Sequence, residues 1–146
     1  KKLDYSALLE KTIRIIKGIN FDYFSEDAKN KFFNEEYLVT NQSDRMGMRL
    51  EGPKLDNIVN TNIKSEGLVK GVVQVPADGN PIILFSDHGS IGGYPKIAVV
   101  ITADHDMAAQ LIPGSKIKFK EVKLDEAEKL FKSYVNKTKN YIEQIK

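Results

Sequence analysis

Short apolar runs separated by turn residues dominate the first 122 positions, and the spacing inside each run predicts its structure. Thr12 to Ile16 (T-I-R-I-I) is rich in β-branched residues and stops at Lys17-Gly18, which predicts a first strand. Ser25, followed by Glu26 and Asp27, reads as an N-cap with an acidic first turn, so a short helix runs from there to Phe32-Phe33. Glu36 to Thr40 predicts a second strand. In Ser43–Pro53, S-D-R-M-G-M-R-L-E-G-P, alternation places Met46, Met48 and Leu50 on one face of a strand and Arg49 and Glu51 on the other. Gly47 suits a bend or a close backbone approach, and Gly52-Pro53 ends the strand because proline has no N–H to give to a ladder.

Residues 56–65 read as a loop with one short edge strand among Ile58, Val59 and Ile63. Gly71–Val75 and Pro81–Phe85 flank A-D-G-N, a strong hairpin signal because glycine accepts the positive φ of such turns. Gln74 then points away from the side taken by Val73 and Val75, where its amide either bonds within the barrel or lines a pocket. Lys96–Thr102, K-I-A-V-V-I-T, suits a strand buried on both faces. Asp104 is expected to cap a one- or two-turn helix reaching Leu111, and Ser115–Val122 alternates as a half-exposed strand should. Asp125 is expected to cap a last helix, with Glu128 in the capping-box position. Its stripe (Ala127, Leu130, Phe131, Tyr134, Val135, Thr138, Tyr141, Ile142, Ile145) should pack on the core or, failing that, on another chain. Lys1–Glu10 reads as a short helical or frayed lead-in. Seven or so short strands without repeat or linker predict a single closed or sandwiched β domain spanning 1–146.

Composition narrows the function classes. The 146 residues are 41% hydrophobic and 29% charged, ordinary for one globular domain with a real core. A net charge of +2 from scattered basic residues disfavours a nucleic-acid partner. The absence of cysteine excludes disulfides, thiol catalysis and thiolate metal sites; two histidines cannot build a His-rich cluster, and no metal is expected. No apolar run approaches the ~20 residues of a membrane span, so no membrane partner is expected. No signal peptide is visible, and the cytoplasm is the expected location; a start on Lys1 instead of Met suggests a longer reading frame.

Five segments together carry a family signature: the Ser43–Pro53 stretch, Ser65-Glu66-Gly67, G-V-V-Q-V-P-A-D-G-N-P-I-I-L from Gly71, G-G-Y-P-K-I-A from Gly92, and P-G-S-K-I-K-F from Pro113. In content, order and spacing they resemble the allophanate hydrolase subunit 2 family. That family includes the C subunit of 5-oxoprolinase, the KipI antagonist KipA, and the carboxyltransferase domain of urea carboxylase. The similarity runs from about Thr12 to Val122, and the helix from Asp125 lies outside it. The resemblance implies a mainly β fold: a cyclophilin-like closed β-barrel with two or three short flanking helices and a longer C-terminal helix. In that family such a barrel is the C-terminal half of the subunit, so this chain corresponds to that half, as a fragment or as a naturally short relative, acting with a sibling of the allophanate hydrolase subunit 1 or KipI type. The implied function is ATP-dependent processing of a small amide or lactam substrate. ATP and biotin (as carboxybiotin) would be handled elsewhere in the assembly, and no cofactor is expected on this chain, which has no G-x-x-x-x-G-K-[ST] loop. The alternative is a KipA-like regulator that binds the KipI-type sibling without catalysis. Peptidyl-prolyl isomerisation, suggested by barrel shape alone, is set aside because a fold does not carry a function.

Candidate chemistry falls in two places. Ser86–Pro95 is a polar loop with three glycines after a strand, where backbone N–H groups can converge on an anion. There Asp87 can position an amide, His88 can exchange a proton, Tyr94 can donate or stack, and Gly92 and Gly93 can stabilise developing charge. The resemblance supports these roles, but the family pattern D-x-Q-T-T-G-G-Y-P becomes D-H-G-S-I-G-G-Y-P here, with Gly89, Ser90 and Ile91 replacing an amide and two hydroxyls. A Ser-His-Asp relay from Ser86 or Ser90 with His88 and Asp87 is disfavoured, because adjacent residues diverge. In the other place, Arg45 and Arg49 either grip a carboxylate or carboxybiotin through paired hydrogen bonds or form ion pairs with Asp44 or Glu51 in the barrel wall. Asp44 and Gln74 join them as binding candidates, and Gln110 matches a family position that could brace the pocket. His105 reads as a solvated surface residue.

Overall fold

The computed structural model describes residues 10–57 and 63–145. The elements are β1 (Glu10–Lys17), α1 (Glu26–Asn34), β2 (Tyr37–Val39), β3 (Gly47–Glu51), β4 (Glu66–Gly67), β5 (Val72–Gln74), β6 (Ile82–Leu84), β7 (Ile91–Gly92), β8 (Lys96–Val100), α2 (His105–Ala109), β9 (Lys116–Glu121) and α3 (Leu124–Ile145). Among the described residues, seven strands close a barrel in the order β1-β8-β5-β6-β3-β2-β9, as the fold class expected, while β4 and β7 pair apart from it as a two-stranded ribbon. The proposed lead-in before Glu10, and positions 58–62 of the stretch read as a loop with a short edge strand, lie outside the described residues.

Alternation of side chains fills the barrel. Ile13, Ile15, Met48, Leu50, Val73, Ile83, Ile97, Ile117 and Phe119 are buried in one cluster, while most of their strand neighbours face outward; Ala98, beside Ile97 at the β5–β8 register shift, joins the core. The β5–β6 hairpin forms as its sequence predicts, with Gly79 at φ +78° and its N–H bonded to the Pro76 carbonyl at 3.0 Å. β1 closes the ring, antiparallel to β8 and parallel to β9. Ser25 caps α1 by accepting from the Ala28 N–H at 3.0 Å. The helix buries Ala28 and Phe32, and Phe32 stacks on Phe119 of β9 at 4.4 Å between ring centroids.

Four sequence expectations change. Met46 does not share the buried face of Met48 and Leu50 but is 56% exposed. The Asp44 carboxylate accepts from the Met46 and Gly47 N–H groups at 2.8 and 3.2 Å, making a tight turn, so alternation begins only at Gly47. Asp104 does not cap α2. Its buried carboxylate accepts the Arg14 N–H at 2.9 Å, Nε at 3.0 Å and Nη2 at 2.6 Å, a charge-assisted fork that a cap cannot match. Asp125 is no cap either: α3 begins at Leu124, which puts Asp125 and Glu126 in its first turn. The α3 stripe does not enter the core, since none of its described residues is buried. Twenty-two residues at ~1.5 Å each extend ~33 Å, beyond the turn at Thr102–Asp104 and the Asp106 carboxylate that accepts from the Tyr134 hydroxyl.

Candidate functional site

Register aligns four side chains on the outer wall of the barrel. Arg49 pairs with Ile82, Ile82 with Gln74, and Gln74 with Lys96, across β3, β6, β5 and β8. Directly opposed residues share a face, and the inward neighbours Met48, Ile83, Val73 and Ile97 are buried in the core, so this row faces outward. The β4–β7 ribbon lies over the row's β5–β8 end, which is why Gln74 and Lys96 are buried although they point out of the barrel. Gly92 makes that closeness possible: a Cβ there would stand 2.8 Å from Gln74 Nε2 and 3.0 Å from Leu68 Cδ1. Gly47, on β3, is also close-packed, with Ile82 Cγ2 3.0 Å from where its Cβ would be.

Between ribbon and wall lies a cleft of about 310 Å³. Gly47, Arg49, Gln74, Ile82 and Leu84 form its floor, Leu68, Ile91 and Gly92 its ribbon side, and Asp44, Met46, His88, Gly89, Gly93 and Tyr94 complete its lining. This volume suits a small ligand. Two features make the cleft receptive. Gln74 Nε2 is buried with no hydrogen-bond partner, and the residue is only 6% exposed. A buried donor left unpaired costs roughly 1–3 kcal/mol, a deficit that a ligand acceptor would remove. Arg49 is exposed and, among the described residues, has no ion-pair partner, so its guanidinium fork is free.

Asp44, Arg49, Gln74, His88, Gly92, Gly93 and Tyr94 therefore converge, although the sequence scatters them over fifty positions. His88 is half-buried and its Nδ1–H donates to the Gly89 carbonyl at 2.6 Å, which leaves Nε2 as the ring nitrogen available to a ligand. Asp44 spends one carboxylate oxygen on its own turn. Arg45 and Asp87 part from this group: Arg45 Nε meets Asp87 Oδ2 at 2.9 Å, and the two line a separate cleft of about 510 Å³ with Met48, Phe85, Ser86 and Leu111. Arg45 is thus paired with neither Asp44 nor Glu51. A Ser-His-Asp relay is absent, because Asp87 faces Arg45 and His88 faces Gly89. Gln110 lies at the exposed C-terminus of α2 and lines neither cleft.

Sequence reasoning passed over Lys96, Glu66 and Leu68. Lys96 is 3% exposed, and its Nζ sits 3.1 Å from Glu66 Oε2. The available signal was a lysine heading an otherwise apolar, doubly buried run, in the same family signature as Ser65-Glu66-Gly67. His105 is also no solvated residue: it is half-buried and its Nε2–H donates to the Val100 carbonyl at 2.9 Å.

Residues 2–121 match the family model "Carboxyltransferase domain, subdomain A and B". The chain is 39% identical over 115 residues to the C subunit of 5-oxoprolinase from Escherichia coli, covering 79% of this chain and 37% of that protein. It is 38% identical over 138 residues to the corresponding 5-oxoprolinase protein of Haemophilus influenzae, covering 94% of this chain and 43% of the relative. The urea amidolyase of K. lactis superimposes with a TM-score of 0.85 at 28% identity, over 90% of this chain and 9% of that one. The chain thus spans less than half the length of these relatives. With signature residues of three segments (Asp44 and Arg49, Gln74 and Ile82, Gly92 and Tyr94) lining one cleft, and a model match over most of its length, the chain belongs to the carboxyltransferase-domain family, subdomain A and B.

Proposed function

We propose that this chain is the substrate-holding barrel of an ATP-dependent amide- or lactam-processing assembly, and that its cleft takes a small amide bearing a carboxylate. 5-Oxoproline is the first candidate, in keeping with the two 5-oxoprolinase relatives. One observation carries this reading: the unpartnered Gln74 Nε2 faces the Gly92 backbone in line with the free Arg49. In this reading Arg49 takes the carboxylate through two parallel hydrogen bonds, and Gln74 donates to the amide carbonyl. Gly92 and Gly93 let the ligand approach the backbone closely, and Tyr94 and His88 border the reacting bond. The amide contact falls to Gln74 instead of Asp87, which Arg45 engages in the neighbouring cleft. ATP and any carboxybiotin act through other parts of the assembly, with a sibling of the allophanate hydrolase subunit 1 type as partner.

Calorimetric titration with 5-oxoproline tests the assignment. Arg49→Met and Gln74→Leu should each weaken binding about tenfold or more, as expected for losing a charge-assisted or buried hydrogen bond. The melting temperature should stay level or rise for Gln74→Leu, which removes an unsatisfied buried group. Wild-type protein that ignores 5-oxoproline, or variants that bind it unchanged, would sink the assignment. The unburied apolar residues of α3 favour a second reading, a KipA-like regulator. Tight binding of a KipI-type sibling with no lactam turnover in the mixture would select it.

A further inference from the structure

We infer that Lys96 is a positioning residue for the cleft: through Glu66 it fastens the β4–β7 ribbon against the barrel wall. This rests on the cleft being a ligand site. Lys96 is the fourth member of the outward row, yet it does not line the cleft. Its ammonium has one side-chain partner among the described residues, Glu66 Oε2 at 3.1 Å. The two ends of this pair differ. The Lys96 side chain is 4% exposed on a barrel strand, and that of Glu66 is 41% exposed on the ribbon.

Among the described residues the ribbon itself is short. It is two residues wide on each side, pairing Glu66 with Gly92 and Gly67 with Ile91, with the Leu68 N–H bonded to the Ser90 carbonyl at 3.0 Å. Both strands belong to a sheet separate from the barrel. Yet the ribbon supplies Leu68, Ile91 and Gly92 to the cleft and sets Gly92 against Gln74. Glu66 is the cross-strand partner of Gly92 itself. A contact that fixes Glu66 therefore fixes Gly92, whose Cβ position would stand 2.8 Å from the unpartnered amide. Lys96 acts on the ligand through this chain of contacts and does not touch it.

Amide hydrogen exchange and 5-oxoproline titration of Lys96→Met and Glu66→Gln decide the matter. Lys96→Met replaces a buried ion by an apolar side chain of similar length and leaves Glu66, whose side chain is 41% exposed, free to regain water, so the fold should survive with its melting temperature unchanged or raised. Exchange at the Leu68 amide should nonetheless rise about tenfold in Lys96→Met and a few-fold in Glu66→Gln, while the Ile83 amide of the barrel stays protected. Both variants should weaken 5-oxoproline binding, and the double variant should be no worse than Lys96→Met alone, as residues sharing one interaction are non-additive. Unchanged exchange at Leu68 in Lys96→Met overturns the inference. So does tighter binding by Glu66→Gln, because a freed ammonium would then be contacting the ligand directly. If wild-type protein binds no 5-oxoproline, the functional reading fails, and the exchange experiment still decides whether the pair fastens the ribbon.

Discussion

His105 occupies a space that only a glycine leaves open. Gly71, at φ +91°, has no side chain, and a Cβ there would come within 2.5 Å of His105 Nε2 and 3.0 Å of the Val100 carbonyl. Burial lowers the imidazole pKa below its ordinary 6.5, helped by nearby Lys70, and outweighs the Val100 hydrogen bond and the Asp106 and Asp104 charges that raise it. The unfolded chain therefore takes up a proton that the folded chain resists. As pH falls through about 6.5 toward the folded value, unfolding is favoured; above 6.5 the fold keeps its full stability. The melting temperature should accordingly rise between about pH 5 and 7. His105→Gln, which retains a donor for Val100, should flatten that part of the profile relative to wild type; an unaltered slope would assign the dependence to other groups. The sequence A-D-H-D-M concealed this environment because its polar neighbours suggest solvent, and the gap at Gly71 lies more than thirty positions away. Arg49 and Gln74 were better marked, since strand alternation alone put both on the outer face. Their convergence depended on the Ile82 register, which no local pattern shows.

At the level of elements, legibility followed length. The longer strands and α1 lie where their apolar spacing and the Ser25 cap place them, because each carries several side chains of one period. β4 and β7, at two residues each, are too short to show any period, so the ribbon that covers the cleft was unreadable. Helix α3 misled in the opposite way. Its stripe is periodic, but periodicity shows only that a face exists, not that something covers it. Leu124, Phe131, Tyr141, Ile142 and Ile145 are exposed, and Ala127, Leu130, Tyr134 and Val135 are only half-buried. Truncation after Lys123 should consequently cost little, because so little apolar surface leaves water on forming this helix. We expect the melting temperature to move by only a few degrees, within the ~1 kcal/mol range of surface changes. Scanning calorimetry of the truncated chain checks this, and a drop of ten degrees or more would show that the helix braces the barrel.

Across the whole molecule, closure is a long-range event. β1 must find β8 and β9, pairing Ile15 with Val100 on one side and with Glu121 on the other. Such pairings carry a loop-closure cost that local hairpins such as β5–β6 avoid, so they are expected to form late in folding. Ile15 is fully buried at this junction, whereas its neighbour Ile16 faces outward and is half-buried. Ile15→Ala should destabilise the protein by about 2–5 kcal/mol, the usual cost of emptying a core position. Ile16→Ala should cost about 1 kcal/mol or less. Because β1 docks after the transition state in this view, most of the Ile15→Ala loss should appear as faster unfolding, with the refolding rate near that of wild type. Stopped-flow refolding and unfolding in urea separate the two arms. Refolding slowed in proportion to the lost stability would instead place β1 in the folding nucleus, with the ring closing early and the β5–β6 hairpin added to it.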